Sequence, residues 1–218
     1  MADRVSRTAR LASAARAGGP LDLLGGGRFF RARAAEVERQ LRQIRAGGTE
    51  QFVLLGAGLD AHAGAALKGA RVFEVDRPTT LAHKAAVGLA TYQPWDLERA
   101  GWADALGERG LAADQPCCVL LEGVAMYLST TAIEQLAGEF AGLASGSLLL
   151  VTTPADRLAR WAMGLVAGAL GERFANDLSP AELCSLLTRA GLVDVASARV
   201  ADAGPLPVAE VLVTAHVP

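Results

Sequence analysis

Residues 51–60 read QFVLLGAGLD, an apolar run of strand length that leads directly into a turn with two glycines. Such a turn lets the backbone approach a ligand closely and aims free N–H groups and the dipole of the next helix at it. Twenty residues after Gly56, Asp76 ends a second apolar run, where a carboxylate can accept hydrogen bonds from both ribose hydroxyls of a nucleotide. These residues predict an adenosine-type cofactor at Gly56-Ala57-Gly58. A tight turn beside a solvated Asp76 is the alternative.

Helical patterns and short apolar runs alternate along the rest of the chain. Apolar residues at three- and four-residue steps predict a helix over 28–46, and residues 117–121 and 147–152 are predicted strands. Strands that alternate with helices indicate a parallel sheet that is covered on both faces. The segments 192–200 and 210–217 leave no room for a helix between them. We therefore expect these two segments to pair antiparallel.

Together these patterns predict an α/β fold, a doubly wound Rossmann-like sheet of seven mostly parallel strands with a C-terminal antiparallel hairpin. One domain is expected over residues 28–218, preceded by an N-terminal arm over residues 1–27. Thr131-x-x-Glu134 and Ser179-Pro180-x-Glu182 have the spacing of capping boxes that open helices. The unusually apolar residues 158–170 predict a core or dimer-contact helix, with a membrane-surface helix as the alternative.

Composition places the chain among soluble proteins of a reducing compartment. No apolar run approaches the roughly 20 residues that cross a bilayer, and the three cysteines have neither a secreted disulfide pattern nor zinc-site spacing. We therefore expect a cytoplasmic protein without a bound metal, although the Arg-rich start could also be a transit peptide. Residues 1–48 hold ten Arg against four acids. We interpret this excess as a solvated helix face rather than a nucleic-acid site, because no aromatic residues interleave the basic ones.

The identity of the cofactor depends on residues outside the glycine turn. A short-chain reductase needs a Tyr with a Lys four residues later, but Tyr127 is followed at that spacing by Thr131. The only lysines are Lys68 and Lys84. The sequence therefore disfavours a nicotinamide oxidoreductase.

Four ordered segments resemble the successive blocks of the leucine carboxyl methyltransferase family, which includes bacterial O-methyltransferases of polyketide biosynthesis. These segments are 52–60, 72–78 with Lys84 in the following helix, 95–97, and 121–129. The resemblance implies a class I methyltransferase that uses S-adenosylmethionine. Beyond residue 129 it continues mainly in the order of the elements and in the helix near 178–192.

The resemblance also implies which residues hold the adenosine part of the cofactor. Gly56, with Ala57 and Gly58 in the same turn, would bring its backbone against the methionyl part. Asp76 would hold the ribose. Asp96 and Leu97 would bracket the adenine, with Asp96 accepting from its exocyclic amine.

Charged residues are implied for the other end of the cofactor. Glu122 would face the ammonium and sulfonium groups, although capping of the helix that starts near Ser129 is an alternative role. Arg31 would pair with the methionyl carboxylate, and Arg33 is a close rival for that role. A planar guanidinium suits a carboxylate because it can donate two parallel hydrogen bonds.

Methyl transfer requires mainly that nucleophile, methyl group and sulfur are aligned in a site without water. A carboxylate acceptor needs no base, whereas a phenol or alcohol must lose a proton. His62 and Tyr127 are the predicted catalytic residues, His83 is a further group that could take a proton, and a structural role is the alternative for each.

We therefore expect an S-adenosylmethionine-dependent O-methyltransferase that acts on a carboxylate or hydroxyl of a small molecule, of the secondary-metabolism type. No nucleic acid or membrane is expected as a partner, and a homodimer is a further expectation. The alternatives are a cofactor-binding protein of the same fold that transfers no methyl group, and an NAD(P)-dependent oxidoreductase. The chain is short where relatives of the family build the lid over the acceptor. An open site, a small acceptor or an oligomeric partner would each account for that.

Overall fold

The computed structural model describes residues 26–59, 62–84, 90–202 and 209–218, together with Arg7 and Arg10. Most of the predicted N-terminal arm, and Asp60 of the glycine segment, lie outside these residues. In chain order the elements are α1 (Gly26–Ala46), β1 (Gln51–Leu55), α2 (His62–Ala66), β2 (Arg71–Asp76), α3 (Pro78–His83), β3 (Thr91–Pro94), α4 (Trp102–Gly107), β4 (Cys117–Leu121), a 3-10 turn (Ala125–Tyr127), α5 (Thr130–Ala141), β5 (Leu148–Pro154), α6 (Arg157–Ala169), α7 (Pro180–Arg189), β6 (Val193–Asp202) and β7 (Ala209–His216).

The seven strands form one sheet in the order β3-β2-β1-β4-β5-β7-β6. The first five strands of that order are parallel, β7 runs antiparallel to β5, and β6 runs antiparallel to β7. This topology confirms the predicted doubly wound sheet with a C-terminal hairpin. Chain order reverses at β1, which has β2 on one side and β4 on the other. A crevice for a ligand is expected at the carboxyl ends of these strands.

Both faces of the sheet are covered, because successive side chains of a strand point to opposite sides. Val53 and Leu55 of β1 belong to a core that is completed by residues of α4, α5 and α7. Phe52 and Leu54 belong to a second core on the opposite face, against α1 and α2. Val37, which belongs to the apolar stripe of α1, is completely buried. The amphipathic pattern therefore fixes α1 on the sheet.

The first predicted capping box is wrong, and the second is confirmed. Helix α5 is capped two residues earlier than predicted, by Ser129, whose hydroxyl oxygen accepts from the Ala132 N–H at 3.2 Å. The Ser129 N–H and hydroxyl in turn donate to Glu98 at 2.8 and 2.7 Å. The carboxylate that accepts from the capping residue is therefore that of Glu98 and not that of the predicted Glu134. In α7, Ser179 and Glu182 form the reciprocal capping box that the sequence predicts.

Residues 158–170 lie almost entirely in α6, but α6 is not a core helix. Only Ala159 and Ala167 are buried. On the outer face Leu158, Trp161 and Leu165 expose 56%, 62% and 56% of their surface. The prediction of a core helix is wrong for this face because its large apolar side chains are exposed, and the predicted homodimer contact stays a prediction. Within the described residues, no helix combines the length and the apolar character that crossing a membrane would require.

Candidate functional site

The turn after β1 and the acid after β2 lie side by side. Because β1 and β2 are parallel neighbours with Leu55 beside Val75, the N–H groups of Gly56 and Ala57 both donate to the Val75 carbonyl oxygen, at 2.8 and 3.1 Å. The next glycine, Gly58, donates its N–H to Asp76 Oδ2 at 2.8 Å. The sequence-predicted glycine turn and carboxylate therefore form one structural unit.

Gly56 is required both by its backbone conformation and by its surroundings. Its φ is +71°, in the left-handed region that residues with a side chain rarely adopt. A Cβ at this position would lie 2.4 Å from Cγ2 of Val124, which follows β4. The backbone of the turn therefore packs directly against the segment that carries Glu122.

Asp76 is half-buried and held in a fixed orientation. Its Oδ1 accepts from the Arg77 N–H at 2.7 Å, and its Oδ2 accepts from Gly58. An ionised carboxylate has about four lone-pair sites, so each oxygen keeps one for another donor. Two neighbouring hydroxyls of a ribose are donors that fit this geometry.

The segment after β3 is tied to the same corner. The Trp95 N–H donates to the main-chain oxygen of Asp76 at 2.9 Å. Leu97 is buried, whereas Asp96 is exposed and accepts from the Glu98 N–H at 3.2 Å. This arrangement brings an apolar side chain and a carboxylate close to the predicted ribose site, and the adenine contacts of both residues stay a prediction.

A cluster of charged side chains lies at the carboxyl end of β4. Glu122 Oε1 accepts from Arg33 Nε at 3.0 Å, and Glu122 Oε2 lies 3.1 Å from His62 Nε2. All three side chains are at least four-fifths buried. Glu122 does not take the alternative role of capping α5, because that helix is capped by Ser129. The cluster therefore brings together two predicted site residues, Glu122 and His62, with Arg33.

Arg33 has a second carboxylate partner, Glu210 at the start of β7. Arg33 Nη1 lies 3.2 and 3.3 Å from the two oxygens of Glu210, which is fully buried. Burial opposes the charge of Arg33, but Glu210 and Glu122 outweigh it and hold the pKa of the guanidinium above its ordinary value. Burial raises the pKa of Glu210, with Arg33 acting against that rise and Glu122 adding to it. The guanidinium also lies 5.2 Å from the ring centre of Phe30.

The structure distinguishes Arg33 from Arg31, although both belong to α1. Arg31 is exposed, whereas Arg33 is buried and contacts Glu122. Residues two apart on a helix point in different directions. The role of Arg31 toward a methionyl carboxylate stays a prediction, and the side chain found next to Glu122 is that of its rival.

A buried ion pair lies beneath the glycine turn and was not predicted. Lys84 Nζ is 2.6 Å from Glu74 Oε2, and both side chains are almost fully buried. The same Nζ donates to the Ala57 carbonyl oxygen at 3.4 Å. Burial raises the pKa of Glu74, Lys84 opposes this rise, and Asp76 adds to it. A charged residue inside an apolar strand is the sequence signal that identifies both Glu74 and Glu210 as unusual.

The remaining predicted proton acceptors lie in different surroundings. Tyr127 is half-buried in the 3-10 turn that follows Glu122, and its ring packs edge-on against Phe174 at 5.2 Å between ring centres. His83 is exposed at the end of α3, with Nδ1 2.7 Å from the Thr79 carbonyl oxygen of the same helix. His62 is thus the predicted base that directly contacts Glu122.

Comparisons with known proteins identify the family of this chain. A protein-family model described as leucine carboxyl methyltransferase matches residues 20–141, more than half of the chain. A Streptomyces avermitilis protein, described as a candidate S-adenosyl-L-methionine-dependent methyltransferase, is 33% identical over 158 residues, which are 67% of this chain and 51% of that protein. A Mycobacterium tuberculosis protein of the same description is 37% identical over 119 residues, 50% of this chain and 39% of that protein. The chain therefore spans about half the length of these relatives or less.

A solved structure extends the likeness of the fold over nearly the whole chain. The crystal structure of a candidate methyltransferase from Thermobifida fusca superposes with a TM-score of 0.73 at 20% identity. The superposition covers 98% of this chain and 95% of that chain. At 20% sequence identity, this likeness establishes a shared fold only.

Proposed function

This chain belongs to the leucine carboxyl methyltransferase family, and we propose that it binds S-adenosylmethionine and transfers the methyl group to an oxygen of a small molecule. The observation that carries the proposal is the unit formed by Gly56, Gly58 and Asp76, next to the charged cluster around Glu122. One end of this crevice suits an adenosine, and the other suits a charged amino acid.

The residues present fit this cofactor on two grounds. At the adenosine end, Asp76 is oriented by two N–H groups and keeps lone pairs for the ribose hydroxyls. Glu122 would accept from the ammonium group, and Arg33 would donate to the carboxylate. When bound, the sulfonium supplies a methyl group that is already activated for transfer.

The charge of the cluster supports the same interpretation. Arg33 contributes one positive charge, whereas Glu122 and Glu210 contribute two negative charges when both are ionised. The amino-acid end of S-adenosylmethionine carries a carboxylate, an ammonium and a sulfonium, so it has an excess of one positive charge. The ligand would therefore neutralise the cluster, which matters because unpaired buried charges are costly.

His62 supports transfer to an oxygen acceptor that must lose its proton. Its Nε2 lies 3.1 Å from Glu122 Oε2, and a carboxylate that close attracts the positive charge that an imidazole gains when it takes a proton. We propose His62 as the general base for a phenol or alcohol, with Tyr127 as an acceptor-contacting residue. A carboxylate acceptor would need neither group as a base.

Calorimetric titration with S-adenosylmethionine and S-adenosylhomocysteine tests the proposal. The wild-type protein is expected to bind both in a one-to-one ratio. Asp76→Asn should weaken binding about 100-fold or more, because the amide removes the negative charge and one of the two acceptor oxygens that the ribose hydroxyls would use. Asp114→Asn is the matched control, since Asp114 is exposed in the loop that precedes β4, at the opposite edge of the sheet. Unchanged binding by Asp76→Asn, or no binding by the wild type, contradicts the proposal.

A second assay separates transfer from binding. The protein is incubated with S-adenosylmethionine and a panel of small carboxylates and phenols, and release of S-adenosylhomocysteine is measured. Release that depends on an acceptor supports the enzyme. Binding without release by any acceptor supports the alternative of a non-catalytic protein of the same fold.

A further inference from the structure

We propose that Glu210 is a positioning residue that holds Arg33 ready for the amino-acid end of the cofactor, an inference that rests on the proposed function. Glu210 is the second residue of β7, the strand that pairs antiparallel with β5, and it lies opposite Pro154. Its side chain is fully buried. Glu210 therefore acts through Arg33 rather than by touching a ligand.

Contacts on several sides fix the guanidinium of Arg33. Nε donates to Glu122, and Nη1 lies within hydrogen-bond distance of both oxygens of Glu210. A Cβ on Gly123 would lie only 3.0 Å from Nη1 and 3.2 Å from Nη2, so the guanidinium packs against bare backbone. Nη2 makes no hydrogen bond to a residue in the described part of the chain. It is the donor that remains for a ligand carboxylate.

Glu210 is itself anchored in the sheet. Thr152 of β5 hydrogen-bonds to the Glu210 carboxylate, and Thr152 Oγ1 also accepts from the Gly123 N–H at 2.8 Å. Thr152 is completely buried. The carboxylate, the threonine and the turn that carries Glu122 therefore form one connected polar network with Arg33.

A second carboxylate on Arg33 has a specific consequence for Glu122. If Glu122 were the sole anionic partner of Arg33, the two side chains would pair with each other, and Arg33 would compete with a ligand ammonium for the Glu122 carboxylate. Glu210 holds Arg33 through a different nitrogen, Nη1 rather than Nε, so Glu122 can turn toward an ammonium while the guanidinium stays in place. A fully buried carboxylate at the start of an apolar strand is costly for folding, which favours a role in the site over a role in the core.

Two ligands that differ in the amino-acid end alone test this inference. S-adenosylhomocysteine has both the adenosine and the amino-acid end, whereas 5′-methylthioadenosine keeps the adenosyl thioether and lacks the amino acid. Glu210→Gln retains the shape but loses the charge. We expect the dissociation constant of the Glu210→Gln variant for S-adenosylhomocysteine to rise roughly tenfold or more. Its dissociation constant for 5′-methylthioadenosine should change less than about twofold.

Control variants keep the outcome clear. Glu134→Gln removes a carboxylate that is exposed on α5, and it should change neither affinity. Glu210→Asp retains the charge on a shorter side chain and should weaken S-adenosylhomocysteine less than Glu210→Gln does. This conservative rescue is not expected if Glu210 merely fills space.

Several outcomes overturn the proposal. Equal weakening of both ligands by Glu210→Gln, or no weakening of either, overturns it and leaves the proposed function intact. If neither Glu210 variant folds, Glu210 is a structural residue and the proposal is overturned. A wild type that binds neither ligand overturns the proposed function and this inference together.

Discussion

At the scale of single residues, Gly56 shows how the site is built from backbone. Its positive φ and the nearness of Val124 leave no space for a side chain. Its N–H donates a hydrogen bond to the Val75 carbonyl oxygen at the end of β2. The same turn thus connects β1, β2 and the segment after β4. The expectation that its N–H groups are free for a ligand is wrong, because those of Gly56, Ala57 and Gly58 all donate within the protein.

Gly56→Ala should destabilise the fold by about 2–5 kcal/mol, the sum of a left-handed conformation and an overpacked contact. Gly69→Ala is the matched control, because Gly69 has a φ of +86° but no atom within 4 Å of its Cβ position. That variant should lose about 1–2 kcal/mol, from the conformation alone. Urea denaturation measures both, and equal losses would refute the close contact with Val124.

Relief of the contact provides a further check. In Gly56→Ala/Val124→Ala the atoms nearest to the new Cβ, Cγ2 and Cγ1 of Val124, are removed. The double variant should therefore recover part of the stability lost by Gly56→Ala. A double variant that is less stable than the sum of its single changes would contradict this interpretation.

Local spacing predicts some of these residues and not others. Gly56, Asp76 and Glu122 stand directly after apolar strands, where parallel strands bring their ends together, so the sequence identifies them. Glu210 is 177 positions from its partner Arg33, and nothing in the spacing links the two. Similarly, a helix pattern cannot decide between Arg31 and Arg33, since their environments depend on the tertiary contacts of α1.

At the scale of elements, the Glu74–Lys84 ion pair joins β2 to the end of α3. Both side chains are almost fully buried, and Lys84 also donates to the turn at Ala57. Breaking a buried pair by removing one partner is far more harmful than replacing both partners. Only the intact Glu74–Lys84 pair therefore helps to hold the glycine turn in position.

Lys84→Met should destabilise the fold by about 3–5 kcal/mol at pH 8. Burial already raises the pKa of Glu74 above its ordinary 4.5, and loss of Lys84 removes the group that opposes the rise. A carboxyl with a raised folded pKa favours the fold at pH values below 4.5, and that contribution is lost as the pH rises through the folded pKa. The deficit of Lys84→Met should therefore be smaller at pH 5 than at pH 8, as measured by urea denaturation.

The paired change is the control for this prediction. Glu74→Gln/Lys84→Met removes both charges, so it should recover much of the stability, and the pH dependence that Lys84→Met shows should largely disappear. A deficit of Lys84→Met that does not change with pH would show that Glu74 is not the titrating group.

Elements with strong local signals are the ones that the sequence predicts. The prediction for β1 and β4 matches the observed residues, and the capping box of α7 is confirmed. Strand β3 is four residues long with no fully buried side chain, so it carries no apolar run and the sequence did not locate it. The spacing does not predict the cap of α5, because Glu98, which completes it, lies 31 residues from Ser129.

At the scale of the whole molecule, the strand order explains why the site lies where it does. The turn after β1, Asp76 after β2, the segment after β3 and Glu122 after β4 all lie at the carboxyl edge of parallel strands. The antiparallel strand β7 contributes Glu210 at that same edge, because its first residues pair with the last residues of β5. The C-terminal hairpin thus supplies part of the site in addition to completing the sheet.

The most direct test of the central claim is a crystal structure of the protein with S-adenosylhomocysteine. Electron density for the adenosyl group is expected between the Gly56-Ala57-Gly58 turn and the loop after β3. Its ribose hydroxyls should lie within hydrogen-bond distance of Asp76, and its amino group within that distance of Glu122. Density for the ligand at any other place, or an empty crevice at saturating ligand, would contradict the account.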